Sequence, residues 1–101
     1  MLRVKVMQAH VHIIVEGLVQ GVGFRWFVAR RAQALGVRGF VNNLYDGNVE
    51  IDAEGDRSLL EELIGEVKRG PRSAHVTNLR LTWKDLQPAD RPGQYSGFEI
   101  R

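Results

Sequence analysis

Nine consecutive residues near the start of the chain have the types needed to hold an anion. Residues 17–25 read Gly-Leu-Val-Gln-Gly-Val-Gly-Phe-Arg. Glycines let the backbone bend so that successive N–H groups converge on one tetraoxo anion, and an arginine adds a permanent charge with two parallel donors. The chemistry that this segment predicts is the binding of a phosphoryl group, with Arg25 as its clamp.

The spacing of these residues excludes two better-known phosphate motifs. A dinucleotide fingerprint requires a glycine three positions after Gly23, where Trp26 stands, and a nucleotide-triphosphate loop requires a Gly-Lys-Ser/Thr ending. From the nine residues alone, a simpler interpretation carries equal weight. In that interpretation Gly21 and Gly23 only permit a tight turn, and Arg25 is solvated.

Hydrophobic periodicity predicts the elements on either side of this loop. Residues 11–16 alternate as in a strand with one buried face, and residues 24–35 have an apolar stripe at helical spacing that ends at Gly36. The loop is therefore expected at a helix N-terminus. Backbone N–H groups there lack intrahelical partners and the macrodipole is positive, so this end of the helix attracts anions.

The rest of the chain completes an α+β pattern. The predicted elements are a strand over 37–42, a turn at Asp46-Gly47, a strand over 48–54, a helix over 58–69, a strand over 79–84 and a short strand over 97–101. Ser58 and Glu61 have the spacing of a capping box at the start of the second helix. The β-α-β-β-α-β order predicts a ferredoxin-like sandwich, in which an antiparallel sheet carries both helices on one face and a short fifth strand.

Length and composition set the class of protein. A chain of 101 residues without cysteine predicts a single domain over 1–101 whose chemistry depends on oxygen and nitrogen groups. Residues 1–9 are expected to be a loose N-terminal extension or an extension of the first strand, and 86–95 an exposed connection. The chain has no apolar run of membrane-spanning length and no signal segment, so we expect a cytoplasmic protein without a membrane partner. The formal net charge of +2 does not predict nucleic-acid binding.

Two segments resemble the signatures of the acylphosphatase family. Residues 17–25 are similar throughout to the first signature, including the arginine. The second signature is matched by Gly-Phe-Val-Asn-Asn at 39–43, by Asp-Gly-Asn-Val at 46–49 and by Gly55. Asn42 departs from the family, in which a basic or longer residue is more common. Because Asn42 precedes Asn43 on a strand, we expect it to face the opposite side and to tune the surface.

The resemblance implies an enzyme that hydrolyses the carboxyl-phosphate bond of acyl phosphates, giving a carboxylate and inorganic phosphate. It implies that Arg25 binds the phosphate and that the Asn43 side chain positions the attacking water. Main-chain amides would complete the phosphate site, and these belong to Gln20, Gly21, Val22, Gly23, Phe24 and Arg25. No metal and no cofactor are expected, and the protein is expected to act as a monomer.

Several alternatives remain open at this level. Without the loop, a turn-capping role for Asn43 would be the better interpretation. The Arg-Gly-Phe at 38–40 resembles the opening of an RNA-binding motif, but Asn42 and Asn43 stand where stacking residues are needed. An accessory domain that passes carbamoyl phosphate to a partner is a third function. Two further sets are not expected to bind metal or to catalyse. The histidines are expected to be solvated or lightly packed, and the carboxylates to face solvent: His10, His12 and His75, and Glu50, Asp52 and Glu54.

Overall fold

Five strands and two helices follow one another in the predicted order. The computed structural model describes residues 7–85 and 95–101. Its elements are β1 (Gln8–Leu18), α1 (Phe24–Leu35), β2 (Arg38–Asn43), β3 (Val49–Asp56), α2 (Arg57–Arg69), β4 (His75–Asp85) and β5 (Phe98–Ile100). The predictions for residues 1–6 and 86–94 lie outside the described residues. Gln8 and Ala9 belong to β1, in agreement with the alternative that residues before 10 extend the first strand.

The strands form one sheet in the spatial order β4-β1-β3-β2-β5. β1 pairs antiparallel with both β3 and β4, and β2 pairs antiparallel with β3, as predicted for the hairpin. β5 instead runs parallel to β2, so the sheet is mixed at this edge and not antiparallel throughout. A parallel pair needs a long connection, and here β3, α2 and β4 lie between the two strands in the chain.

Both helices pack on the same face of the sheet because each has one apolar side. Alternate residues of β1, from Ala9 to Val15, are buried, and the helices add their own buried sets to one core cluster. These sets are Phe24, Val28, Ala29 and Ala32 in α1 and Leu60, Leu63 and Val67 in α2. Neither of these helices, which are the ones within the described residues, is long and apolar enough to cross a membrane.

The second helix begins at Arg57, one residue before the predicted start, and its N-cap lies two residues before the Ser58 of the capping-box spacing. Its N-cap is Asp56, whose carboxylate accepts a 2.8 Å hydrogen bond from the N–H of Ser58 and another from the Ser58 hydroxyl. The hydroxyl bond lowers the pKa of Asp56. The earlier start of the helix has a tertiary cause. The β1–β3 ladder extends to the pair Gln8 and Asp56, so the junction between strand and helix falls at Asp56.

An irregularity in the β1–β4 ladder directs the chain into the glycine-rich loop. It lies between Glu16 and Gly17, after which Gly17 is opposite Val76. Gly17 has φ +133°, and a Cβ at this position would clash with the carbonyl oxygen of His75. Glycine is therefore required at this contact between β1 and β4, one residue before β1 ends at Leu18.

Candidate active site

The loop between β1 and α1 presents backbone N–H groups at a helix N-terminus. Gly21 and Gly23 both have φ +73°, the left-handed region that glycine adopts without strain. Gly23 is the N-cap of α1 and contributes no side-chain cap, so no capping side chain occupies the first N–H groups of the helix. The first turn also contains no acidic residue. The positive end of this helix is thus available to an anion.

Two side chains attach the loop to neighbouring parts of the fold. The Gln20 side-chain amide donates to the carbonyl oxygens of Leu44, at 2.7 Å, and Asn48, at 2.8 Å, in the turn between β2 and β3. The Ser73 hydroxyl donates to the carbonyl oxygen of Val22 at 3.0 Å. These bonds hold the loop in place beside the end of β2. These hydrogen bonds could not be predicted from the sequence. Their acceptors are main-chain oxygens, which every residue has.

Arg25 lies in the first turn of α1 and is half-buried. Its Nη1 donates a 2.7 Å hydrogen bond to the main-chain oxygen of Arg101. Among residues 7–85 and 95–101 it has no side-chain carboxylate partner. A guanidinium has five N–H donors, so one bond to a main-chain oxygen leaves further donors for a ligand.

Asn43 is the last residue of β2 and lies opposite the buried residue Val49. Its Oδ1 is buried and has no hydrogen-bond partner within the described residues. A buried carbonyl oxygen without a partner costs about 1 to 3 kcal/mol, so such an atom calls for an explanation. The preceding residue, Asn42, faces the opposite side of the sheet, where its amide donates to Glu50 at 3.4 Å. The predicted orientation of Asn42, away from the side that Asn43 faces, is therefore confirmed.

One cavity of about 150 Å³ brings these parts together. It is lined by Val19, Gly21, Gly23, Phe24, Arg25, Trp26, Asn43 and Ile100. Arg25 and Asn43, predicted from separate segments, thus line one site. Gln20 and Val22, also predicted to bind phosphate, are not among its lining residues. Ile100 was not foreseen, because it reaches the site through the parallel pairing of β5 with β2.

The open face of the sheet carries His10 and His12 together with the carboxylates of β3. His10 Nε2 lies 2.8 Å from Asp52 Oδ1, and His12 Nε2 lies 2.8 Å from Glu50 Oε2. Glu54 is buried, with Arg38 Nε at 3.5 Å, so the prediction of a solvent-facing position was wrong for this residue. No group of three histidines, aspartates or glutamates in the described part of the chain is arranged to hold a metal ion.

Tyr95 also lies on this open face, although the sequence predicted an exposed connection at this position. It is half-buried, its ring packs edge-on against Phe40, and its hydroxyl donates a 2.6 Å bond to Asp52 Oδ2. Burial, together with the bond to this carboxylate, raises the pKa of Tyr95 to about 12. The network lies on the opposite face from the core and is not part of the cavity that contains Asn43.

Known proteins match the chain over most of its length. Residues 11–100 match the acylphosphatase family model. An acylphosphatase of Caldanaerobacter subterraneus subsp. tengcongensis is 44% identical over 94 residues, which are 93% of this chain and 99% of that protein. The acylphosphatase of Thermotoga petrophila is 55% identical over 89 residues, 88% of this chain and 92% of that protein. The crystal structure of acylphosphatase from Bacillus subtilis has a TM-score of 0.83 and 36% identity, and the match covers 92% of this chain and 98% of that one. The chain therefore belongs to the acylphosphatase family and is a hydrolase that acts on acid anhydrides.

Proposed function

We propose that this protein hydrolyses acyl phosphates to a carboxylate and inorganic phosphate at the cavity shared by Arg25 and Asn43. The observation that carries the proposal is the buried Oδ1 of Asn43, which has no partner among the described residues and lines the same cavity as Arg25. A carbonyl oxygen in that position is an acceptor for a water molecule next to a site built for an anion.

The phosphoryl group is bound by the loop amides of Gln20 to Arg25 and by the Arg25 guanidinium. The left-handed glycines and the absence of an acidic residue in the first turn of α1 support this role for the amides. Arg25 contributes a planar guanidinium that its bond to the main-chain oxygen of Arg101 already orients. Together they stabilise the negative charge on the equatorial oxygens during transfer.

Asn43 orients the attacking water. The water oxygen forms a bond to phosphorus, the bond between phosphorus and the acyl oxygen breaks, and the carboxylate leaves with the electron pair. The proton released by the water passes to a phosphate oxygen of the substrate. A carboxylate is a good leaving group, so positioning and charge stabilisation are the main requirements, and no strong base or metal is needed. Action as a cytoplasmic monomer without nucleic-acid or membrane partners stays a prediction.

The two neighbouring asparagines provide a matched test. Hydrolysis of benzoyl phosphate is measured for the parent, for Asn43→Ala and for Asn42→Ala. We expect Asn43→Ala to lose about 100-fold or more in kcat, a loss typical for removal of one preorganised polar group. Asn42→Ala should retain the parent rate, since Asn42 lies on the other face of the sheet. Equal rates in all three proteins would exclude the proposed role of Asn43, and no turnover by the parent would exclude the activity.

A further inference from the structure

The Gln20 side chain contacts the turn after β2 and is not among the residues that line the cavity of Arg25 and Asn43. It is half-buried, and its Nε2 lies 2.7 Å from the carbonyl oxygen of Leu44 and 2.8 Å from that of Asn48. Both partners are acceptors, so both N–H groups of the amide are used. The contact therefore requires a side chain with two donors on one atom.

The two acceptors flank the last pair of the β2–β3 ladder. That pair is Asn43 and Val49, and Leu44 follows the first of them while Asn48 precedes the second. Two main-chain N–H groups of the turn also donate to these oxygens, at 2.9 and 3.2 Å. Each oxygen thus accepts one bond from the turn and one from Gln20. The amide bridges the turn at its base, directly next to Asn43.

The proposed reaction needs the two halves of the site at a fixed separation. The loop amides and Arg25 bind the phosphoryl group, whereas Asn43 holds the water that must reach phosphorus in line with the leaving oxygen. Gln20 belongs to the first half through its main chain and contacts the second through its side chain. A displacement of about 1 Å between catalytic groups is enough to lower a rate by about 100-fold.

We propose that the Gln20 side chain is a positioning residue, which fixes Asn43 relative to the glycine-rich loop. It acts through Asn43 and contacts neither the phosphoryl group nor the water. The inference rests on the proposed acyl phosphate hydrolysis. It assigns to this side chain an effect on kcat and not on the binding of phosphate.

Substitution by glutamate gives the contact a donor that can be titrated. In Gln20→Glu the protonated carboxyl can donate one of the two bonds, while the ionised form places a negative charge against two carbonyl oxygens. Relative to the parent, kcat for benzoyl phosphate should be about tenfold lower at pH values of about 7.5 and should recover in part toward about pH 5. Gln20→Met, which has no donor, should show a loss of kcat that does not change with pH.

Gln33→Glu is the matched control for the pH profile. The Gln33 amide also donates to a main-chain oxygen, that of Phe98 at 3.3 Å, but it lies in the last turn of α1, at the opposite end from the loop. This variant should keep the parent rate at each pH, because the same change in charge is made without the contact to the turn.

A double-mutant cycle separates positioning from a general loss of structure. Gln20→Met should lower kcat about tenfold in the parent, but by less than about twofold in the Asn43→Ala background, where no oriented water remains to be displaced. The dissociation constant of inorganic phosphate, measured by thermal unfolding, should change less than about threefold in Gln20→Met.

The outcomes separate this inference from the proposed function. A kcat ratio of Gln20→Glu to the parent that does not change with pH would overturn the positioning role and leave the activity intact. Equal losses of kcat in the two backgrounds would also overturn it, as would a loss of phosphate binding as large as the loss of kcat. Failure of the parent to hydrolyse benzoyl phosphate would overturn both proposals.

Discussion

The Arg25 guanidinium donates a 2.7 Å hydrogen bond to the main-chain oxygen of Arg101, just beyond the end of β5. The last strand thus helps to orient the proposed phosphate clamp, although the loop and β5 are far apart in the chain. The remaining donors of the same planar group are left for the substrate. Both tasks depend on a forked side chain with several N–H groups, and this dependence can be tested by a substitution that keeps the charge.

Arg25→Lys should reduce kcat/KM for benzoyl phosphate by about 100-fold or more. An ammonium keeps the charge, but it cannot bond the oxygen of Arg101 and present two parallel donors to phosphate at the same time. Arg80→Lys is the control, because Arg80 is exposed and paired with Glu16 at 2.9 Å, on β4 and β1. A near-parent rate for Arg25→Lys would show that Arg25 is not the clamp.

Inorganic phosphate should stabilise the parent and Asn43→Ala, but stabilise Arg25→Ala far less. At ten times its dissociation constant, a ligand bound only by the folded state contributes about 1.4 kcal/mol, which raises the Tm of a domain of this size by roughly 6 to 11 °C. Thermal unfolding with and without phosphate measures this shift. The assigned roles would have to be exchanged if Asn43→Ala lost the shift and Arg25→Ala kept it.

Asn43→Leu should be inactive and yet more stable than the parent, by about 1 kcal/mol in free energy of unfolding. The substitution replaces a buried oxygen that has no partner among the described residues by an apolar group of similar shape. Urea denaturation measures the change. Asn42→Leu, which removes a bond to Glu50 on the open face, should give no gain. If Asn43→Leu lost as much stability as Asn42→Leu, or more, the Oδ1 of Asn43 would have a hydrogen-bond partner in solution.

Activity should be unaffected by EDTA and by added divalent cations. The proposed positive field comes from the Arg25 guanidinium and from the amides at the start of α1, which take the place of a metal ion in stabilising charge on the phosphate. Initial rates after exhaustive dialysis against chelator provide the measurement. Loss of activity that Mg²⁺ or Zn²⁺ restores would contradict this mechanism.

Tyr95 should ionise near pH 12, above the ordinary tyrosine value of 10.0. Its neutral form is favoured in the folded state, so its contribution to stability is complete below pH 10 and is lost as the pH rises through about 12. Tyr45→Phe leaves Tyr95 as the sole tyrosine, and its absorbance can then be titrated directly. Asp52→Asn should lower the midpoint, because it removes the charge next to the hydroxyl. A midpoint near 10 would mean that the buried contact does not persist.

The sequence was sufficient to predict features that depend on local pattern. The alternation in β3 and the glycines before Arg25 predicted the hairpin and the loop, and both are confirmed. Features decided by long-range contacts were missed or misplaced. The start of α2 at Arg57 follows from how far the β1–β3 ladder extends, and the position of Ile100 follows from the pairing of β5 with β2. Neither the extent of the β1–β3 pairing nor the pairing of β5 with β2 can be predicted from local sequence.

The order of the sheet places β3 between β1, which leads into the glycine-rich loop, and β2, which ends at Asn43. The two halves of the site are thus joined through two ladders that meet at Ile51, opposite Ile13 on one side and Val41 on the other. A slip of β2 by a single residue that set Leu44 opposite Val49 would turn Asn43 to the open face and put Leu44 in its place. Such a molecule would keep its strands and helices but lack the asparagine that we propose to orient water. Specific activity per folded molecule is therefore a measure of how faithfully the chain selects its strand register during folding.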